Sequence, residues 1–286
     1  MQFENTDHPG LAELRNDHGR RVIAYHYDHF DFHPYCHPVN LPDGTCLSIE
    51  RPADHPWHNG MAFAWKYLNG YNVWDFEASG PKRGYVEHRN IELGKDAPVL
   101  EHHLVWQDEN RRDLLEDRRR LAVEFDAQGL PVFDWTFNFY APHEDVLCER
   151  HVGWGGYGGF YMRFARGTGI TLLNAEGRKD MEEEERLSSR WCAYAYALDG
   201  RPSWTNFEHY AGLAIFDHPA NPRHPTPWLT YNRINMQKIM PAFIRDEPYL
   251  FARGDRLTLR YRALPFYGKP DYDKLEAAWR EWAGRP

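Results

Sequence analysis

Hydrophobic and polar positions alternate with a period of two along much of this chain. The clearest case is Phe133-Asp134-Trp135-Thr136-Phe137-Asn138-Phe139, where every odd residue is aromatic and every even one polar. Side chains of a strand point alternately to its two faces, so this pattern predicts a half-buried strand. Residues 157–164 repeat it, with Phe160, Met162 and Phe164 on one face and Tyr161 and Arg163 on the other. Further strands are expected at 22–27, 46–50, 61–68, 85–93, 99–106, 114–125, 189–196, 211–216 and 257–263, with a turn at Asn69-Gly70. Only the tail reads as helix. Leu275, Ala278, Trp279 and Trp282 recur at helical spacing behind Asp271 or Asp273 as the cap. The pattern predicts an all-β fold, a large antiparallel β-sandwich with a C-terminal helix lying over it. Residues 1–21 read as an irregular N-terminal arm, and 22–286 as a single domain.

Composition narrows the function classes. The chain has 286 residues, 42% of them hydrophobic and 27% charged, enough for one large packed core. A net charge of −8 argues against nucleic acid as a partner. Arg111, Arg112, Arg118, Arg119 and Arg120 cluster, but Asp113, Glu116 and Asp117 interleave with them, which predicts a solvated edge or turn. The acidic run 182–185 reads as a solvated loop. No apolar run is long enough to span a bilayer, and the N-terminus has no signal-peptide pattern. Cys36, Cys46, Cys148 and Cys192 show no Cys-x-x-Cys spacing. A cytoplasmic protein with reduced thiols is the expectation, oligomeric or not. Aromatic residues reach 15%, a level that suits both a β core and stacking on sugar rings.

Two proline-stiffened stretches hold the candidate chemistry. The first is Arg51-Pro52-Ala53-Asp54-His55-Pro56-Trp57-His58-Asn59-Gly60. The second is Asp217-His218-Pro219-Ala220-Asn221-Pro222-Arg223-His224-Pro225-Thr226. Each has Asp-His-Pro, a second histidine and an arginine. Proline excludes helix interior and fixes the chain, so both are rigid loops, the kind of element on which sites sit. They are expected to face one pocket.

Histidine titrates near neutral pH and a neighbouring carboxylate orients it, so Asp54, His55, His58, Asp217, His218 and His224 are the catalytic candidates. Arg51, Arg163 and Arg223 suit substrate oxygens, with His37 and Trp57 beside them. Each residue also has a purely structural reading, since an aspartate before a proline turn often bonds loop amides. A metal ion is the competing reading. His55 and His58 are three apart, and His26, His29, His33 and His37 add donors. A site without cofactor ranks ahead of it. The glycine-rich run 153–159 reads as a bulge or bend between strands. Nucleophile-elbow, phosphate-loop and dinucleotide motifs are missing.

A longer pattern runs through these stretches: His37-Pro38-Val39, Pro42-Asp43-Gly44, Asp54-His55-Pro56-Trp57-His58-x-Gly60, then residues 212–226 and Gly254-Asp255-x-Leu257-Thr258-Leu259-Arg260-Tyr261-Arg262. From residue 22 onward it resembles the bacterial PmoA-type family, whose functions are largely unassigned. That resemblance implies a galactose-mutarotase-like supersandwich and a place in sugar catabolism. It carries over His37, Asp54, His55, His58, Asp217, His218, Arg223 and His224 without assigning catalytic roles. Leu229-Thr230 departs from the family's polar position there, which bears on substrate choice. The combined expectation is an enzyme cleaving a C–O bond in an oligosaccharide or oxidised glycoside, lyase or hydrolase, by His/Asp acid–base catalysis. An aldose-epimerase-like enzyme, a metal-dependent sugar enzyme and a non-catalytic carbohydrate-binding protein are the alternatives.

Overall fold

Strand propensity and alternation are realised almost throughout. In a computed structural model of the chain, which describes residues 1–28, 32–75, 82–151, 156–179, 187–198, 209–233 and 236–285, two eight-stranded sheets and one four-stranded sheet account for the strands. The first sheet runs β1 (Phe3–Asn5), β2 (Leu11–Arg15), β3 (Arg21–His26), β4 (Tyr35–Val39), β5 (Met61–Ala64), β13 (Gly159–Arg163), β18 (Met236–Pro241) and β17 (Trp228–Arg233). The second runs β14 (Thr168–Asn174), β15 (Trp191–Ala197), β16 (Tyr210–Asp217), β20 (Arg256–Tyr267), β11 (Pro131–Tyr140), β10 (Asp113–Phe125), β9 (Val99–Gln107) and β8 (Tyr85–Leu93). The small sheet is β19 (Tyr249–Phe251), β12 (Val146–Glu149), β6 (Tyr67–Leu68) and β7 (Tyr71–Asn72). The expected all-β antiparallel sandwich is what forms.

The two large sheets meet through aromatic rings. Phe63 of β5 packs 4.7 Å from Phe137 of β11, and Phe160 of β13 stacks 5.2 Å from Tyr261 of β20. The alternation of β11 is the cause: Phe133, Trp135, Phe137 and Phe139 are all buried on the inner face. The same period puts Tyr161 and Arg163 of β13 on the face turned away from this core.

The tail forms α1 (Tyr272–Ala283), with Asp271 as N-cap accepting from the Lys274 amide at 3.2 Å. Leu275 and Trp282 bury against Leu173, Trp191, Ala193, Ala214 and Phe216, so the helix covers the outer face of the second sheet, as its spacing predicts.

Several expectations are corrected. Residues 3–5 and 11–15 pair as β1 and β2 and extend the first sheet, where an irregular lead-in was expected. Residues 46–50 form isolated bridges, Asn40 with Cys46 and Ser48 with Phe164, rather than a strand. The arginine cluster is split by strand geometry. Arg118 and Arg120 face out, but Arg119 is buried beside Asp117, which also takes the Trp106 indole N–H at 3.2 Å. Period two sends Asp117 and Arg119 inward together, and a buried charge needs a partner. Strands β14, β17 and β18 went unread because Gln237 and Lys238 interrupt one apolar run and polar residues scatter through the others. The acidic run 182–185 lies outside the described residues, as do 153–155 of the glycine-rich run. Of the rest of that run, Gly156 has φ +76°, and a Cβ there would sit 2.6 Å from the Arg245 carbonyl oxygen. No helix among the described residues is long and apolar enough to cross a membrane.

Candidate active site

The first loop is folded by its own backbone. The His55 amide bonds the Pro52 carbonyl and the His58 amide bonds the His55 carbonyl, both at 2.9 Å, giving two successive turns. The Asn59 side chain accepts the Arg51 amide at 2.9 Å, holding Arg51 at a φ of 45°. Gly60 joins the loop to β5, and its carbonyl accepts the Arg163 amide at 2.7 Å. Its φ is +43°, and a Cβ there would lie 1.9 Å from the Cys36 carbonyl oxygen. Gly60→Ala is therefore expected to destabilise the fold by about 2–4 kcal/mol, from a left-handed backbone plus a backbone clash. Urea unfolding measures it, and a loss below 1 kcal/mol would contradict this loop geometry.

The turns build a stack that descends from the surface. Asp54 bonds His55 Nδ1 at 2.9 Å and Arg166 at 2.8 Å, with Arg163 at 3.4 Å. The His55 ring lies parallel to His58, centroids 5.0 Å apart and planes within 5°. His55 is partly open to solvent, while His58 is only 4% exposed. Trp57 packs edge-on to both. Below, His58 meets Trp74 at 6.0 Å and Tyr161 at 6.1 Å. The Tyr161 hydroxyl lies 3.0 Å from His33 Nε2 and accepts the Asn59 amide at 3.4 Å. Arg163 and Lys238, each 2% exposed, are register partners on β13 and β18. The Lys238 ammonium sits among the rings of Tyr231 (5.1 Å), Tyr157 (5.6 Å), Trp74 (5.8 Å) and Tyr161 (6.0 Å). At the far side Asp75 accepts from Lys66 at 2.6 Å and from Asn72 and Tyr157 at 2.8 Å.

Electrostatics separates these groups. Burial, reinforced by the charges of Lys238 and Arg163, pushes the His58 imidazole well below its ordinary range, so it is neutral at neutral pH. Burial takes His33 down to about 3. For Asp54, burial acts upward, but the bonds from His55, its own amide and Arg166, with the Arg163 charge, outweigh it and hold the carboxyl below the usual range. Burial lowers Arg163 from the ordinary arginine range. The Nδ1 atoms of both His58 and His33 are buried and meet no hydrogen-bond partner among the described residues. The arrangement is a neutral imidazole in the field of two cations, stacked under a half-open histidine held by an anionic aspartate.

The second loop lies elsewhere. Asp217, fully buried, accepts from His224 Nδ1 and Thr226 Oγ1 at 2.8 Å, the Thr226 amide at 3.1 Å and Asn221 Nδ2 at 2.7 Å. His224 stacks on Trp279 and His218 packs edge-on to Trp282, so α1 covers both. Burial also lowers His218. Arg223 donates to the Phe243, Glu247 and Pro248 carbonyls. Strand β17 runs opposite to β5 in the same sheet, so the loops that lead into them leave opposite ends of the strands. The expected shared pocket does not form: Asp54, His55, Trp57, His58 and Arg163 gather at one end, while Asp217, His218, Arg223 and His224 brace the helix and the strand ends at the other. Removing the hub by Asp217→Ala is expected to cost about 3–5 kcal/mol, because His224, Thr226 and Asn221 lose a buried acceptor together. A thermal melt checks this; the folded fraction should keep its ligand affinity.

The remaining candidates are accounted for locally. His37 Nδ1 bonds the Ser48 hydroxyl at 2.8 Å, and burial lowers its proton affinity. His26 bonds the His37 carbonyl at 3.0 Å and stacks on Tyr35. His29 lies outside the described residues. Among those described, no three His, Cys, Asp or Glu side chains gather as a metal site. Sequence reading missed Lys66, Trp74, Asp75, Tyr157, Tyr161 and Lys238 as members of the cluster, and took His33 only as a metal donor. The available signal was a lysine inside an apolar run, in Ala62-Phe63-Ala64-Trp65-Lys66 and Gln237-Lys238-Ile239-Met240. A lysine is seldom fully buried without a reason.

An antiparallel sandwich of two broad sheets, with an ionisable cluster at the end of β5 and β13, defines the structural class. The chain belongs to DUF6807, a family of unknown function whose model matches residues 14–280. That match replaces the PmoA-type assignment read from the loop motifs, which no family match supports. No curated protein matches the chain. Among solved structures it is similar to the galactosidase domain of alpha-galactosidase-sucrose kinase AgaSK, with a TM-score of 0.50 at 10% identity over 93% of this chain and 42% of that one. An alpha-galactosidase from Lactobacillus brevis gives a TM-score of 0.45 at 10% identity, over 90% of this chain and 39% of the other. The chain thus spans less than half the length of either. At such identity the first likeness speaks to fold alone.

Proposed function

We propose that this protein is a carbohydrate-active enzyme that cleaves a C–O bond at the His55–His58 stack. The observation that carries the reading is His58, a buried imidazole kept neutral beside two cations and under a half-open His55. A buried imidazole whose Nδ1 meets no partner among the described residues is costly to keep in a core without a use. The half-buried rings of Trp57 and Tyr157, packed around it through Trp74, suit sugar faces. The galactosidase neighbour supports a carbohydrate as the ligand class. Within the reading His58 is the base, Asp54 orients His55, and Arg163 holds a substrate oxygen. The second-loop residues Asp217, His218 and His224 have no part in the chemistry. The test is a panel of oligosaccharides and oxidised glycosides incubated with the purified protein, with products read by mass spectrometry. Cleavage by wild type and none by a folded His58→Ala variant is the expected result, and wild-type rates from that variant would remove His58 from the mechanism.

A non-catalytic sugar-binding role has its own support in the same ring cluster. A sugar that raises Tm yet is recovered intact would favour it.

A further inference from the structure

Helix α1 covers the outer face of the second sheet over Leu173, Ala193, Ala214 and Phe216. Its last turn carries Trp282, whose ring lies 5.7 Å from the Arg262 guanidinium of β20. Beyond that turn the outer face of β20, β11, β10 and β9 is polar. Arg260, Thr136, Arg120 and Glu101 stand side by side as register partners across these four strands. The next row holds Thr258, Asn138, Arg118 and His103. Period two turns both rows away from the core, because Leu259, Trp135, Phe137 and Arg119 take the inner face. Two depressions, of about 330 and 290 Å3, lie along the rows and meet at Thr136. Together they form a groove. His58 packs on Tyr161, which faces outward from the first sheet, so the groove is on the opposite side of the sandwich from the His55–His58 stack.

Arg118, Arg120 and Arg260 give the groove its charge. Their neighbour Arg262 is held fork to fork by Asp134, at 2.7 and 2.6 Å. The other three guanidinium groups donate no hydrogen bond to a described residue. Arg118 has Glu116 at 3.9 Å and Arg120 has Glu101 at 3.6 Å, both too long for a hydrogen bond, and the two arginine side chains are 67% and 46% exposed. Exposed pairs so loosely held contribute little, and leave the donors available. A guanidinium presents its donors in a planar fork that matches a carboxylate. Strand spacing sets the backbones of Arg120 and Arg260 roughly 10 Å apart along the groove, with Thr136 between them. We infer that this groove binds a carboxylate-bearing carbohydrate chain, with the three arginines on its carboxylates and Thr136, Asn138 and Thr258 on its hydroxyls. Charge complementarity selects the acid, since unengaged cations line up on a chain whose net charge is −8. Glu101 and Glu116 beside them repel a densely charged phosphate backbone, which argues against nucleic acid. The inference shares its ligand class with the reading above, but neither its site nor its chemistry.

The experiment titrates the full chain by calorimetry with a galacturonic acid hexamer, a neutral glucose hexamer and a glutamate hexapeptide. The expected result is binding of the galacturonic acid hexamer, weakened by added salt, with the other two bound far less tightly. Arg260→Gln should weaken that binding about tenfold, the loss of one charge-assisted contact, and Arg260→Lys should restore part of it by charge without the fork. Both variants should keep the wild-type Tm, because the Arg260 side chain bonds no described residue. No binding of the galacturonic acid hexamer overturns the inference, and so does an unchanged affinity in Arg260→Gln. A glucose hexamer bound as tightly removes the role of the carboxylates, and a glutamate peptide bound as tightly reduces the groove to a general anion exchanger; either overturns it. Mass spectrometry of the recovered sugars scores cleavage separately. Cleavage without binding at the groove sinks only this inference, and binding at the groove without cleavage of any sugar sinks only the proposed activity.

Discussion

His58→Ala will lower turnover of the cleaved glycoside about 100- to 10,000-fold, the range that a positioned acid–base group contributes. In barrier height that is roughly 3–5 kcal/mol. The fall should be in kcat, with KM changed little, because in the proposed reading sugar contacts rest on Trp57, Tyr157 and Arg163 rather than on His58. The ring is buried, so its loss also leaves a gap, costing about 1–3 kcal/mol of stability. Kinetics should therefore be read on protein shown to be folded. His55→Ala gives the contrast. Its ring is partly open and acts on His58 only through the stack, so its effect should be smaller. The pH profile is a further check. Burial and the Lys238 and Arg163 charges depress His58, so the acid limb of kcat/KM should fall well below the pH at which a free imidazole titrates. A limb at the ordinary histidine value would place the base elsewhere.

Acidification should unfold the protein early, and histidines should be the main cause. His33, His58 and His102 are buried and held far below the imidazole range by burial first and by nearby cations second. In the unfolded chain each binds a proton at about pH 6.5, and in the folded chain it does not. The unfolded state thus binds more protons below that pH, so stability is intact above it and falls as the pH drops toward the folded values, His33 being the one at about 3. Each such histidine contributes a slope of about 1.4 kcal/mol per pH unit, so the three together give roughly 4 kcal/mol per unit. Urea midpoints measured from neutral pH down to about pH 4 would show the fall. His102→Gln should flatten the slope by about a third, since the amide keeps a partner for the Tyr25 hydroxyl, 2.8 Å from His102 Nδ1, without titrating.

Legibility followed pattern strength. The strands at 85–93, 99–106 and 133–139 were readable because alternation is a local consequence of strand geometry, and β8, β9 and β11 fall on them. The helix was equally plain, down to Asp271 as its cap. The first loop was legible as a candidate site by its density of Asp and His between prolines. The second loop was misleading for the same reason. Its composition matches the first, yet Asp217 spends its oxygens on Thr226, Asn221 and His224, a structural use of the same side chains. Lys238 and Lys66 left only a weak trace, a lysine inside an apolar run, and Asp75 left none, because which partners surround a side chain is set across the fold. The arginine run misled in the opposite direction, since Arg119 turns inward to meet Asp117.

Short-range order in the chain was enough to specify the all-β sandwich, its covering helix and the rigid loop that carries His55 and His58, because each follows from periodicity, proline and glycine acting within a few residues. Which loop joins the buried ionisable cluster was decided only in three dimensions. Strands β5, β13 and β18 are distant in sequence, and their pairing is what sets Arg163 and Lys238 beside His58. The antiparallel sense of β17 against β5 is what sends the look-alike loop to the other end. Burial then sets the charge state: desolvation by neighbours from across the fold keeps one histidine neutral, and no local sequence encodes how much water a side chain will lose.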